Sequence, residues 1–198
     1  MCNHKNKIIR KESKMKKIKP RNSKELKLLV QVESINLGNI DTSDITDMSR
    51  IFEGSKRIDF TGIDKWDTRN VIDMSCMFLG ATYFNEDISS WDVRNVKNMA
   101  CMFCYCRNFN QPLDKWKVYN VENMGSMFQS CSSFNQPLNN WKVSKVRDMS
   151  SMFEEAVNFR QPLDNWDISN VEDMDHMFFG VKNNSFWNYL KIKYKNKG

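Results

Sequence analysis

Histidine is nearly missing from this chain: there are two in 198 residues, beside seven glycines and four prolines. Neither His4 nor His176 belongs to an HExxH pair, and no nucleophile elbow occurs. None of the glycines forms the rich loop that cradles phosphate. Catalysis therefore has no motif to stand on, and neither a cofactor nor a metal is expected. No window approaches the ~18 uninterrupted apolar residues of a membrane-spanning helix. The apolar h-region of a secretory signal is also lacking, and Cys2 has no hydrophobic stretch ahead of it to suit a lipid-anchored cysteine. A cytoplasmic chain with reduced thiols is the expectation. What is present suffices for a core: hydrophobic residues make up 40% and aromatics 12%, which argues against global disorder. The length suits one domain or one short array, since domains run about 100–200 residues.

The net charge of +6 is unevenly spread. Residues 1–27 hold eleven Lys/Arg against Glu12 and Glu25, and the last eleven residues add four lysines without an acid. The stretch 28–187 carries 15 basic and 22 acidic residues. Basic ends thus flank an acidic middle. The run 14–19 has the charge to grip phosphate or an anionic surface, although terminal charge is usually just solvated.

The middle repeats. Tryptophans stand at 66, 91, 116, 141 and 166, a spacing of 25 residues four times over. With Trp as position 1, further columns align. Position 3 is Thr68, Val93, Val118, Val143 and Ile168, and position 9 is Met74, Met99, Met124, Met149 and Met174. Positions 12 and 13 are Met-Phe in every unit, from Met77 and Phe78 to Met177 and Phe178. Position 19 is Phe84, Phe109, Phe134 and Phe159, and position 23 is Ile88, Leu113, Leu138 and Leu163. A degenerate unit begins at Ile40, and the last unit loses the pattern at Asn184. Six coils follow, the end ones atypical, as an array needs when inner repeats share one core.

The period falls in the ~20–29 range of leucine-rich repeats and is too short for ankyrin, tetratricopeptide or HEAT units. Trp-Asp pairs at 66, 91 and 166 invite a propeller reading, but such blades need about 40–45 residues. The apolar columns do not recur every fifth residue, which excludes a pentapeptide helix. The expected fold is an α/β solenoid, leucine-rich-repeat-like. Each coil is expected to have a short strand at Trp-x-Val and a helical or 3₁₀ segment near positions 8–16, with Pro112, Pro137 and Pro162 in the extended return. Methionines at positions 9 and 12 would fill the arch between these rows.

The unit Trp-Asp-Val-Ser-Asn-Val-x-x-Met-x-x-Met-Phe-x-x-Ala-x-x-Phe-Asn-Gln-x-Leu resembles the BspA-like leucine-rich repeat surface proteins, and more narrowly the mycoplasma-lipoprotein-type repeat. The halves Phe103, Cys106, Phe109 and Phe128, Cys131, Phe134 carry the broader pattern. The resemblance covers roughly residues 35–190. It implies a right-handed solenoid, no catalysis, binding to host or cellular proteins, and for many members a cell-surface location.

The organisation expected is a basic, disordered tail at 1–21, a cap with a short helix at 22–39, repeats at 40–187, and a cap remnant with a basic tail at 188–198. Asn22 or Ser23 suits the helix N-cap, and Leu26, Leu29 and Val30 share one face. Phe186, Trp187, Tyr189, Leu190 and Ile192 would shield the last coil. Cys76 and Cys101 share position 11, and Cys106 and Cys131 share position 16, so each pair lies about one strand spacing apart. Position 16 is otherwise Ala or Val, which marks its cysteines as small buried hydrophobes. The spacing of Cys101, Cys104 and Cys106 is the nearest approach to a zinc motif but lacks a second ligand pair. Asp73, Asp148 and Asp173 at position 8 read as N-caps, and Asn70, Asn95, Asn120 and Asn170 at position 5 as partners for backbone groups.

Function is then expected on outward positions 2 and 4: Asp67, Arg69, Asp92, Arg94, Lys117, Tyr119, Lys142, Ser144, Asp167 and Ser169. A monomeric, non-catalytic protein-binding module is the leading expectation, with Tyr119, Lys117 and Lys142 at the centre of the face. The alternative is association with nucleic acid or an anionic surface through the basic termini, chiefly residues 1–21.

Overall fold

A computed structural model describes residues 17–182. The expected shield at 186–192 and most of both basic tails lie outside these residues.

The first element is helix α1, Ser23–Gln31. Asn22 caps it, its side chain accepting a bond from the Glu25 N–H at 3.0 Å. Leu26 and Val30 are buried, and Leu29 packs partly against the same core. The expected tail at 1–21 overlaps the described residues at 17–21. Ile18 forms a parallel bridge with Ile40, donating to Asn39 O and accepting from Asp41 N–H, both at 2.8 Å. Lys19 adds an ion pair with Asp44 at 2.7 Å. Residues 17–21 are therefore built onto the first coil.

From Ile40 onward each unit is hydrogen-bonded to the next, Met48 N–H reaching Asp73 O in the first and Met74 N–H reaching Asn98 O, one residue less far ahead, in the second and its successors. Parallel bridges join Asp47, Asp73, Asn98, Asn123, Asp148 and Asp173 in succession, always at position 8. On either side a ladder repeats. In the third coil Met99, Cys101, Phe103 and Tyr105 donate their N–H groups to Asn123, Gly125, Met127 and Gln129, at 2.8–3.0 Å. The N–H groups of Met102, Cys104 and Cys106 instead bond three residues back within the coil. Consecutive amides thus alternate between the neighbouring coil and their own turn.

This alternation corrects two expectations. Positions 8–16 are not a helix. They are linked turns with left-handed residues at position 11 (Arg50, Cys76, Cys101, Ser126, Ser151, His176) and position 15 (Gly54, Gly80, Tyr105, Ser130, Glu155, Gly180). A left-handed residue costs roughly 1–2 kcal/mol when it is not glycine and cannot continue a right-handed helix. Here the left-handed residue's own amide reaches a carbonyl of the adjacent coil, as Cys101 N–H does to Gly125 O, and the next amide bonds back within its own coil, as Met102 N–H does to Met99 O. Nor does the Trp-x-Val segment form the ladder. It lies between two tight turns, as where Trp91 N–H bonds to Ile88 O and Val96 N–H to Val93 O, both at 3.0 Å. Too little extended backbone remains between them, and side chains make the inter-coil bonds there instead.

The core is columnar. Phe52, Phe78, Phe103, Phe128, Phe153 and Phe178 follow one another at 5.4–5.6 Å between ring centroids, with interplanar angles of 3–11°. A second column, Phe84, Phe109, Phe134 and Phe159, runs alongside at 5.6–6.0 Å. Near-parallel rings at these distances are offset stacks, a favourable aromatic arrangement. The indoles of Trp66 and Trp91 are parallel to within 1°, and those of Trp141 and Trp166 to within 2°. Met99, Met102, Met124, Met127, Met149 and Met152 are fully buried in the same core. Among the described residues no helix is long and apolar enough to cross a membrane.

Candidate protein-binding face

The outward row begins with what holds its backbone. Every Trp at position 1 is buried and donates its indole N–H to a carbonyl one coil back: Trp91 to Ile63 O, Trp116 to Ile88 O and Trp141 to Leu113 O, at 2.9–3.1 Å. At position 5, Asn70, Asn95, Asn120 and Asn170 donate to the carbonyls of Ser43, Arg69, Arg94 and Ser144, at 2.7–2.8 Å. The asparagine role expected from sequence is thus given a partner, the carbonyl of position 4 in the preceding coil. Position 8 serves an allied purpose. Asp73 and Asp148, like Asn98 and Asn123, accept from the N–H two residues on, at 2.7–3.0 Å. Asp173 does the same towards Asp175. These are Asx turns and not helix caps, because no helix follows.

On this scaffold positions 2 and 4 point outward with unequal charge compensation. Asp67 pairs with Arg69 at 2.8 Å and Asp92 with Arg94 at 2.7 Å, each within one coil. The guanidinium hydrogen bonds hold both carboxyls below the usual aspartate range. Asp167 is also held low, by bonds from Ser169. The middle is different. Among the described residues, Lys117 and Lys142 make no ion pair, and Tyr119 is 41% exposed. These three side chains, with Asp114, Lys115, Trp116, Val118 and Asn140, line a depression of about 450 Å³. Beside it, Ser144 borders a second hollow of about 300 Å³ with Glu122, Lys145, Arg147 and Asn170. Lys117, Tyr119 and Lys142 thus border a hollow without an ion pair among the described residues, whereas Asp67 and Asp92 are each paired with an arginine of their own coil.

Sequence reasoning missed two structural groups. Gln111, Gln136 and Gln161 at position 21 donate to the carbonyls of Asn85, Asn110 and Asn135, a polar ladder on the return segment. Its signal is the glutamine that precedes each of Pro112, Pro137 and Pro162. Arg57 had no signal at all. It is 4% exposed, and its guanidinium donates to Val30 O, Val32 O, Glu33 O, Ile35 O and Asp59 O.

The described cysteines are free thiols. Cys106 and Cys131 are fully buried, donate to Phe78 O and Phe103 O, and are pushed up by burial, as inert core thiols are. Among the described residues no three His, Cys, Asp or Glu side chains are placed to hold a metal ion.

A repeat protein whose 25-residue units are bonded in register describes what these observations have in common. The family follows from comparison: residues 23–128 and 98–189 match the family described as Mycoplasma protein of unknown function, DUF285, and the chain belongs to it. No curated protein and no solved structure matches.

Proposed function

We propose that this chain is a non-catalytic protein-binding module: a right-handed, leucine-rich-repeat-like solenoid of the BspA type, with one partner face along positions 2 and 4. The observation that carries the reading is the uncompensated middle of that face. Lys117, Lys142 and Tyr119 line one hollow with Lys115 and Trp116, Asp114 being its one acidic lining residue, while Arg69 and Arg94 are neutralised by their own aspartates. A tyrosine beside two free lysines suits an acidic protein segment, the ring supplying contact area and the ammonium groups steering the approach. The fully used core argues the same way, since variable side chains are tolerated only on the outside of such an array.

Affinity capture from native extract tests this, comparing the intact chain with the Lys117→Glu, Lys142→Glu double variant. Capture is expected to disappear while thermal unfolding stays in place, because both side chains are exposed. Unchanged capture would remove the face from consideration. The charge of residues 1–27 supports a second reading, binding of RNA, DNA or an anionic surface through the basic end. It predicts binding that falls steeply with salt and is lost when the chain begins at Asn22. Exported and surface locations remain part of the BspA proposal, and cell fractionation decides them.

A further inference from the structure

Two adjoining coils carry three cysteines at positions 11 and 14. Cys76 and Cys101 occupy position 11 in successive coils, and Cys104 stands three residues further along. Cys76 N–H donates to Ala100 O at 2.8 Å, which sets the two coils in register at this point. Cys104 N–H donates to Cys101 O at 3.1 Å, closing a tight turn between them. Such a turn keeps the Cα atoms within about 7 Å, and disulfides span Cα separations of about 4.4–6.8 Å. Cys76 and Cys104 are buried, whereas Cys101 is half-exposed. The Cys104 thiol donates to Gln129 Oε1 at 3.3 Å, and the positive charge of Arg50 favours the thiolate of Cys101.

We propose that Cys101 and Cys104 form a peroxide-sensitive modification site, with Cys101 as the attacking thiolate and Cys104 as the thiol that resolves the product. Cys101 Sγ attacks one oxygen of a hydroperoxide; the S–O bond forms, the O–O bond breaks, and hydroxide or alkoxide leaves and takes a proton from water. Cys104 Sγ then attacks the Cys101 sulfenic sulfur. The S–S bond forms, the S–O bond breaks, and water departs with the proton of Cys104. Two thiols are oxidised and one peroxide is reduced, so no further electron donor is needed.

The surroundings favour this order. The neighbouring Cys104 and Cys76 thiols, the Ser126 hydroxyl and the Arg50 charge favour the thiolate of Cys101 and hold its pKa well below the ordinary thiol value. The same charge, together with burial, raises Cys104, which therefore remains a protonated donor until Cys101 is oxidised. Cys76 is raised by burial and by Cys101, and so also acts as a donor. Glu53 is the acidic group facing Cys76 in this cluster. The i, i+3 spacing matches that of dithiol redox motifs, in which one sulfur is poised and the other resolves.

The test uses the full chain and hydrogen peroxide, with glutathione as the reference thiol. Peptide mapping after one equivalent of peroxide is expected to show a disulfide joining Cys101 to Cys104. Alkylation of Cys101 should level off by pH 8, whereas a free thiol with a pKa of about 8.5 is only ~3% ionised at pH 7 and is still gaining rate there. Cys104→Ser should leave a sulfenic acid on Cys101 that a 1,3-diketone traps. Cys101→Ser should abolish the disulfide, and because serine already occupies position 11 in Ser126 and Ser151, this variant is expected to unfold like the parent. A disulfide that omits Cys101, or an alkylation profile matching that of glutathione, would overturn the proposal.

Discussion

Arg57 is a demanding place to perturb the array, because one side chain joins the cap to the repeats. Its Nη1 reaches Val30 O and Val32 O, both at 3.1 Å, and its Nη2 reaches Glu33 O at 3.2 Å. The first of these bonds is buried and lies near the C-terminal end of α1, where the helix dipole favours a cation. Burial lowers the pKa of Arg57, yet an arginine stays charged in a protein. In Arg57→Leu the aliphatic stem is largely kept, but these carbonyls lose their donor. A buried, unsatisfied carbonyl costs about 1–3 kcal/mol, and the part-buried ones recover some of their loss from water. The replaced guanidinium also no longer has to be desolvated, which offsets part of the cost. The net effect is roughly 3 kcal/mol, about a hundredfold in an opening equilibrium at 1.4 kcal/mol per factor of ten. It should be local. Hydrogen exchange of the α1 amides is expected to accelerate about a hundredfold, with the amides of Met124 and Phe128 far less affected. Exchange in α1 unchanged within a factor of three would refute the argument that Arg57 secures the cap.

Phe128→Ala should cost roughly 3–5 kcal/mol in urea unfolding followed by tryptophan fluorescence, since the ring is fully buried and stacks on Phe103 and Phe153. A loss under 1 kcal/mol would contradict the columnar core. Gly62 has φ 90°, and an added Cβ would lie 2.4 Å from Gly38 N and 2.7 Å from Gly38 Cα. Gly62→Ala is therefore expected to lower the melting temperature, whereas Gly54→Ala, left-handed but in open space, should lower it less; equal effects would count against the close approach. The carboxyls of Asp59, Asp67, Asp87 and Asp92 are all held below their usual values by hydrogen bonds. A depressed folded-state pKa adds stability above the unfolded value, about 3.9, and that stability is lost as pH falls through the folded value. Melting temperature should hold between pH 8 and 5 and decline below about pH 4; a maximum in that acid range would reverse the sign.

Much of the interior was readable because an array repeats its burial pattern at the same positions. The columns of Trp, Met and Phe mark inward side chains whatever the backbone does between them. The route of the hydrogen bonds was not readable from the same columns. Apolar spacing of three residues at positions 9, 12, 13 and 16 suits a helix, but two left-handed residues per coil break it. These positions hold Arg, Cys, Ser, His, Tyr, Glu and Gly, so side-chain chemistry gives no common sign of the backbone state. The asparagines at position 5 were legible because a polar side chain recurring beside a turn needs a backbone partner. Arg57 was not, since it falls in the irregular stretch before Trp66 and reads as one more surface charge. Of the ten side chains named from sequence, Asp67 and Asp92 are half-buried and the others exposed. The contrast between self-neutralised Asp67 with Arg69 and uncommitted Lys117 and Lys142 required their geometry.

Scalar coupling across hydrogen bonds, measured by nuclear magnetic resonance, tests the stacking of coils most directly. The account predicts correlations from the amide nitrogens of Met99, Cys101, Phe103 and Tyr105 to the carbonyl carbons of Asn123, Gly125, Met127 and Gln129, the partners in the ladder. Correlations from these amides only to carbonyls three or four residues back would contradict it.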